Sequence, residues 1–209
     1  MADFDILKVA MKSGKVAEVT RIVGEFLAEG APAKDILERG LLDAMNEVGK
    51  RFKANEVFVP EVLVAARAMK AGTEILKPHL VEAGVKAVGT AIMGTVKGDL
   101  HDIGKNLVIM MLEGAGFEVI DAGVDVSPEK FVQLAKEHNA HIVGLSALLT
   151  TTMPSMKTAV DVMRGEGVTA KIIIGGAPVT QSYCDTIGAD GYSQDAAAAA
   201  ELALSLLGS

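Results

Sequence analysis

The apolar residues of this 209-residue chain change their spacing at about Lys86, and any fold proposed for it has to accommodate that change. Before this point Ile6, Val9 and Ala10, then Val16, Val19, Ile22, Val23 and Phe26, recur with a period of about 3.6 residues, as helices require. Gly14 and Gly30 punctuate the pattern. Pro32 suits the first turn of a third helix over about Ala33 to Lys53, and Pro60 opens a fourth that carries Val62, Leu63, Ala66, Met69 and Ile75 toward Pro78. Four helices with short connections predict an antiparallel bundle over residues 1–84, with Gly84 in a short linker.

After Lys86 the apolar runs are short: Ala87 to Met93, Glu118 to Asp121, Ile142 to Ser146, Lys171 to Ile174, and a weaker one at Gly191 to Ser193. Helical stretches alternate with them, at about 103–115, 128–138, 153–166, 178–187 and 195–207. Alternation of this kind predicts parallel βαβ units with right-handed crossovers. The Lys171-Ile172-Ile173-Ile174 run suits a strand covered on both faces. The expected fold is a helical bundle followed, over 85–209, by a five-stranded parallel flavodoxin/Rossmann-like α/β domain. In such sheets ligands bind at the carboxyl ends of the strands, near the topological switch point.

Several function classes are disfavoured. The net charge is −7, no Lys/Arg cluster stands out, tryptophan is absent and aromatics are sparse, so a nucleic-acid partner is not expected. No apolar run reaches the roughly 18 residues of a membrane span. The start, MADFDILKVAMKSGK, has neither the basic end nor the apolar stretch of a secretory signal, which predicts a cytoplasmic protein with no membrane partner. Cys184 is the single cysteine, so neither an intrachain disulfide nor a thiolate cluster is expected.

The first strand runs out at Gly94-Thr95-Val96-Lys97-Gly98, and Asp99-Leu100-His101-Asp102-Ile103-Gly104 follows. This places Asp99, His101 and Gly104 in the loop at the functional edge of the sheet. A histidine there is within reach of a ligand, and a carboxylate two residues away can fix its tautomer. Gly104 lets a ligand pass close to the backbone. The same residues also suit a plain helix start, with Asp102 as cap and His101 solvated. After strand three come Ser146, Leu148, Thr150, Thr151 and Thr152, and strand four ends in Gly175-Gly176. Small and hydroxyl side chains at adjacent strand ends leave a slot lined with hydrogen-bonding groups, although a turn and a helix cap would account for each alone. Neither G-x-G-x-x-G after strand one nor a P-loop occurs.

Taken in order, GDLHDIGKN, SALLT and IIIGG resemble the cobalamin-binding signature D-x-H-x-x-G … S-x-L … G-G of methionine synthase and of the corrinoid proteins of methyltransferase systems. MNEVGKRFKANEVFVPEVLVAARAM resembles the helical bundle that caps the corrinoid in those proteins. The resemblance implies a cobalamin or related corrinoid whose cobalt alternates between Co(I) and methyl-Co(III), with His101 as lower metal ligand in place of the cofactor's own dimethylbenzimidazole. Asp99 would be the partner of that histidine, and Thr152 the hydroxyl on the aspartate, where methionine synthase has serine. Gly98, Asp102 and Gly104 complete the signature loop. Ser146, Leu148 and Thr150 would take the displaced nucleotide tail, with Gly175 and Gly176 beneath it. Phe52 and Val59 would cover the upper cobalt face, methionine synthase having leucine at the second position. Glu38 and Ala196 would be peripheral contacts, or else a solvated helix face and a packed alanine.

The function implied is that of a non-catalytic methyl carrier. Its partners would be a substrate-specific methyltransferase, a second methyltransferase acting on tetrahydrofolate, a related pterin or coenzyme M, and a reductive activator. The alternatives are a B12-dependent sensor, for which no DNA-binding module remains in the chain, the small subunit of an adenosylcobalamin mutase, which usually lacks the helical cap, or a plain flavodoxin-like binding protein.

Overall fold

The computed structural model of the chain describes residues 3–208, which divide into two compact units between Ala87 and Val88. Unit one holds α1 (Phe4–Lys12), α2 (Val16–Ala28), α3 (Ala33–Asp35), a π-helical stretch (Ile36–Leu42), α4 (Asp43–Lys53) and α5 (Val59–Glu82). Leu7, Met11, Val19, Val23, Leu41 and Leu76 are among the side chains at its centre. The expected third helix is present, but it widens into π turns around Gly40, where a Cβ would lie 2.6 Å from Leu7 Cδ2. Glu61 accepts the Phe58 N–H at 3.0 Å and so caps α5. That helix runs on past Pro78 to Glu82: a proline this close to the end costs a ladder bond without stopping the helix.

Unit two holds β1 (Thr90–Val96), α6 (Ile103–Gly114), β2 (Glu118–Val126), α7 (Pro128–Glu137), β3 (Ile142–Ser146), α8 (Met153–Gly165), β4 (Lys171–Gly175), α9 (Gln181–Ile187), β5 (Gly191–Ser193) and α10 (Ala196–Leu207). The sheet order is β2-β1-β3-β4-β5, with every neighbouring pair parallel. The order reverses between β1 and β3, so the loops after those two strands flank the switch point, where ligands of such sheets bind.

Three boundaries differ from expectation. The strand β1 starts at Thr90 and includes Gly94, because the wholly buried Phe131 ring fills the space where a Gly94 side chain would stand, 2.7 Å from its Cβ position. The glycine is there for packing; the strand continues through it. The strand β2 runs on to Val126 through Gly123, at φ +92, and Asp125, at φ +52. The helix α9 begins only at Gln181, because Thr180 caps it, its hydroxyl accepting the Tyr183 N–H.

Candidate functional site

The Asp99 side chain is wholly buried at the carboxyl end of β1. One oxygen, Oδ1, accepts the His101 backbone N–H at 3.1 Å and lies 2.8 Å from His101 Nδ1. The other, Oδ2, accepts the Leu148 N–H at 2.8 Å, the Thr152 hydroxyl at 2.7 Å and, at 3.4 Å, the Leu149 N–H. Burial would raise the carboxyl's pKa, but these donors, the Leu148 amide foremost, outweigh it and hold the group well below the usual carboxylate range. A carboxylate only accepts hydrogen bonds, so Nδ1 donates to it, and in the neutral tautomer that this selects, the lone pair is on Nε2. With the imidazole 51% exposed, that lone pair is available to a ligand.

Sequence reasoning missed Thr95, which is wholly buried in β1 and donates its hydroxyl to the His101 carbonyl at 2.8 Å. No sequence signal separated it from Thr90, the other threonine of β1. Sequence reasoning also missed the buried Lys105, whose ammonium donates to Asp121 at 2.6 Å and to Asn106 at 2.7 Å. Gly98, at φ +86, gives its N–H to Asp125 at 2.7 Å. Asp102 stands at the helix N-cap but does not cap with its side chain, which accepts instead from the Asn106 amide at 3.2 Å. Gly104 lies in the first turn of α6 rather than in the loop, with no atom within 4 Å of where its Cβ would be.

The signature loop and the β3 loop therefore meet at Asp99. Ser146 ends β3, in register with Thr95 of β1 and Gly175 of β4. At Gly176, φ +130, a Cβ would lie 1.8 Å from the Ala147 carbonyl oxygen. Leu148 and Thr150 are exposed. With Leu149, Leu100 and Ile103, Leu148 gives the two loops a solvent-facing apolar rim. Phe52 and Val59 are half-buried in the helical unit, at the end of α4 and the start of α5. Glu38 is exposed on the π-helical stretch, 3.8 Å from Lys34, and Ala196 is packed inside the α/β unit. A flat macrocycle whose metal takes one further ligand would suit this set: a histidine with a free Nε2 and a fixed tautomer, an apolar rim, and glycines at the end of β4.

Residues 89–201 match the B12 binding domain family, and residues 4–77 match a second family of B12 binding domains. A dimethylamine corrinoid protein of Methanosarcina acetivorans is 44% identical over 94% of this chain and 91% of its own length. The chain belongs to the B12-binding corrinoid proteins. Its family takes a cobalamin-type corrinoid as cofactor and serves methyltransferase systems. A corrinoid protein of Desulfitobacterium hafniense is 38% identical over 100% of this chain and 99% of its own length. Among solved structures, the methanol:cobalamin methyltransferase complex MtaBC of Methanosarcina barkeri superposes with a TM-score of 0.88, at 27% identity over 98% of this chain and 79% of that one. A cobalamin-binding protein of Desulfitobacterium hafniense does so with a TM-score of 0.80, at 34% identity over 99% of both chains. Among the described residues no helix is long and apolar enough to cross a membrane.

Proposed function

We propose that this corrinoid protein is a methyl carrier in which His101 Nε2 is the lower ligand of cobalt. The observation that carries the reading is the buried Asp99 carboxylate, which accepts the hydrogen bond from Nδ1–H and leaves Nε2 free on a half-exposed ring. When bound, the corrinoid supplies the cobalt centre that accepts and gives up the methyl group. Asp99 holds the Nδ1 proton, the Leu148 amide and the Thr152 hydroxyl hold Asp99, and Thr95 holds the His101 carbonyl. The ring can thus take and release a ligand without losing its orientation. Gly98 and Asp102 in the loop, with Gly104 in the first turn of α6, form the surface against which the corrinoid would lie. Ser146, Leu148, Thr150, Gly175 and Gly176 would receive its nucleotide tail. Phe52 and Val59 are the side chains that the resemblance assigns to the upper face. Glu38, paired with Lys34, and Ala196, packed in its own unit, have no part in the reading.

The donor side would be a substrate-specific methyltransferase for a methylamine, a choice supported by relatives named for dimethylamine. The acceptor side would be a second methyltransferase passing the group to a pterin or to coenzyme M, with a reductive activator as third partner. The test is a Co(II) EPR spectrum of the reconstituted protein. Nitrogen splitting from a protein ligand, lost in His101→Ala, is expected; its absence in the unaltered protein would overturn the ligand assignment. Turnover of dimethylamine by the reduced holoprotein alone, as fast as with a methyltransferase added, would overturn the carrier reading.

A further inference from the structure

The edge strand β2 is longer than its pairing with β1 needs. Met93 lies opposite Asp121 and Val96 opposite Val126, so three steps along β1 match five along β2, and β2 carries two extra residues. The excess folds through two left-handed positions, Gly123 and Asp125, and the second is unfavourable for a residue with a Cβ. Bulges of this kind concentrate at sheet edges and beside functional sites, where they re-aim a side chain. Here Asp121 braces the start of the bulge: its Oδ1 accepts the Gly123 N–H at 2.9 Å and the buried Lys105 ammonium at 2.6 Å. At the far end Asp125 reaches the histidine loop twice. Its Oδ1 accepts the Gly98 N–H at 2.7 Å, and its own N–H donates to the Asp99 carbonyl at 2.9 Å.

We infer that Asp125 is a positioning residue for His101, acting through both ends of the Gly98–Asp99 segment; this rests on His101 being the cobalt ligand. The two bonds fix the backbone that leads into the ligand residue from the side opposite β3. The Asp99 carboxylate is tied to the β3 loop, but the peptide between Lys97 and Gly98 is held by Asp125. Freeing that peptide lets the loop sample positions in which Nε2 misses the metal, so the ligated state loses its preorganisation.

Two substitutions isolate the side-chain bond. Asp125→Gly suits the left-handed backbone without strain and removes the acceptor, while Asp125→Asn keeps an acceptor oxygen and tolerates the same φ. Two readouts apply: exchange of the Gly98 amide in the apoprotein by NMR, and the ratio of histidine-ligated to unligated Co(II) in the holoprotein by EPR. Asp125→Gly is expected to speed Gly98 exchange and to lower the ligated ratio about fivefold, as loss of one partly exposed charge-assisted bond implies. Asp125→Asn should stay within about twofold of the unaltered protein. Should Asp125→Gly not fold, Asp125→Glu keeps the charge but carries the carboxylate one methylene too far, and is expected to lower the same ratio. An unchanged ligated ratio in the folded Gly or Glu variant would overturn the role of Asp125, as would an Asn variant that falls as far as Gly. If the unaltered protein shows no protein nitrogen on cobalt, the assignment of His101 fails first and the role of Asp125 with it.

Discussion

Asp99→Asn changes one atom and should change which ring nitrogen of His101 carries the proton. An asparagine offers one acceptor oxygen where the carboxylate offers two, and it adds an NH2 that only donates. If its oxygen faces the β3 loop, the Leu148, Leu149 and Thr152 bonds survive, and the NH2 faces the His101 N–H and Nδ1. The His101 N–H is then stranded, and Nδ1 must accept rather than donate. If the NH2 faces the β3 loop, the Leu148 and Leu149 N–H groups are both stranded, while the Thr152 hydroxyl can turn to the Leu149 carbonyl 2.9 Å away. Each stranded donor costs about 1–3 kcal/mol, so the first arrangement wins. With the loss of charge assistance included, the variant should be about 2–4 kcal/mol less stable. Its His101 should carry the proton on Nε2, the nitrogen needed for metal. Urea unfolding of the apoprotein measures the first effect, and long-range proton–nitrogen correlation of the imidazole measures the second. The pH dependence has a definite sign. The folded carboxyl lies below its ordinary value, so its stabilisation is complete above about pH 4 and is lost as pH falls further. A variant within about 0.5 kcal/mol of the unaltered protein, with Nε2 still unprotonated, would refute the reasoning.

Thr152→Val keeps the buried shape and removes one donor to Asp99; a loss of about 1.5–2 kcal/mol in urea unfolding, mostly restored by Thr152→Ser, is expected, and no loss would remove the hydroxyl from the network. Gly176→Ala would drive a Cβ into the Ala147 carbonyl oxygen, so it should cost about 3 kcal/mol or more and lower the melting temperature, whereas an unchanged melt would refute the clash. Gly104→Ala is the contrast: it fills open space in a helix, so the apoprotein should gain up to about 1 kcal/mol while corrinoid affinity falls, and unimpaired affinity would show that the corrinoid does not approach there.

The two-unit architecture was legible because the switch from a helical to a strand-and-helix apolar period survives residue-level noise. The parallel five-stranded sheet followed from the alternation, and β3 and β5 begin and end where their short runs do. Gly94 misled because glycine looks the same in sequence whether it makes a turn or sits beneath a ring, and Phe131 lies too far along the chain to be linked to it. The spacing of Asp99 and His101 suggested a pair but left a plain helix start open, and their roles, like that of Thr152, came only through the resemblance. Thr95 and Asp125 could not be read at all, since each acts by bonding a backbone atom of another segment, and backbone atoms leave no trace in the alphabet of side chains. The π turns at Ile36–Leu42 were equally invisible, their residues having ordinary helical composition.

The carboxylate of Asp99 reaches partners 49, 50 and 53 positions further along the chain, and this sets when the histidine is ready as well as how. Everything from α6 through β3 must be made and the parallel β1–β3 pair closed before those donors arrive. Bringing together ends about 50 residues apart costs roughly 3–4 kcal/mol of chain entropy, and nothing local repays it in advance. A nascent chain that has emerged only through α7 can already set Asp125 on the Gly98 amide, but it lacks the Leu148, Leu149 and Thr152 donors that fix the far oxygen of Asp99. The brace behind His101 is in this way completed only by the pairing of β1 with β3, so the readiness of the ring is tied to closure of the sheet.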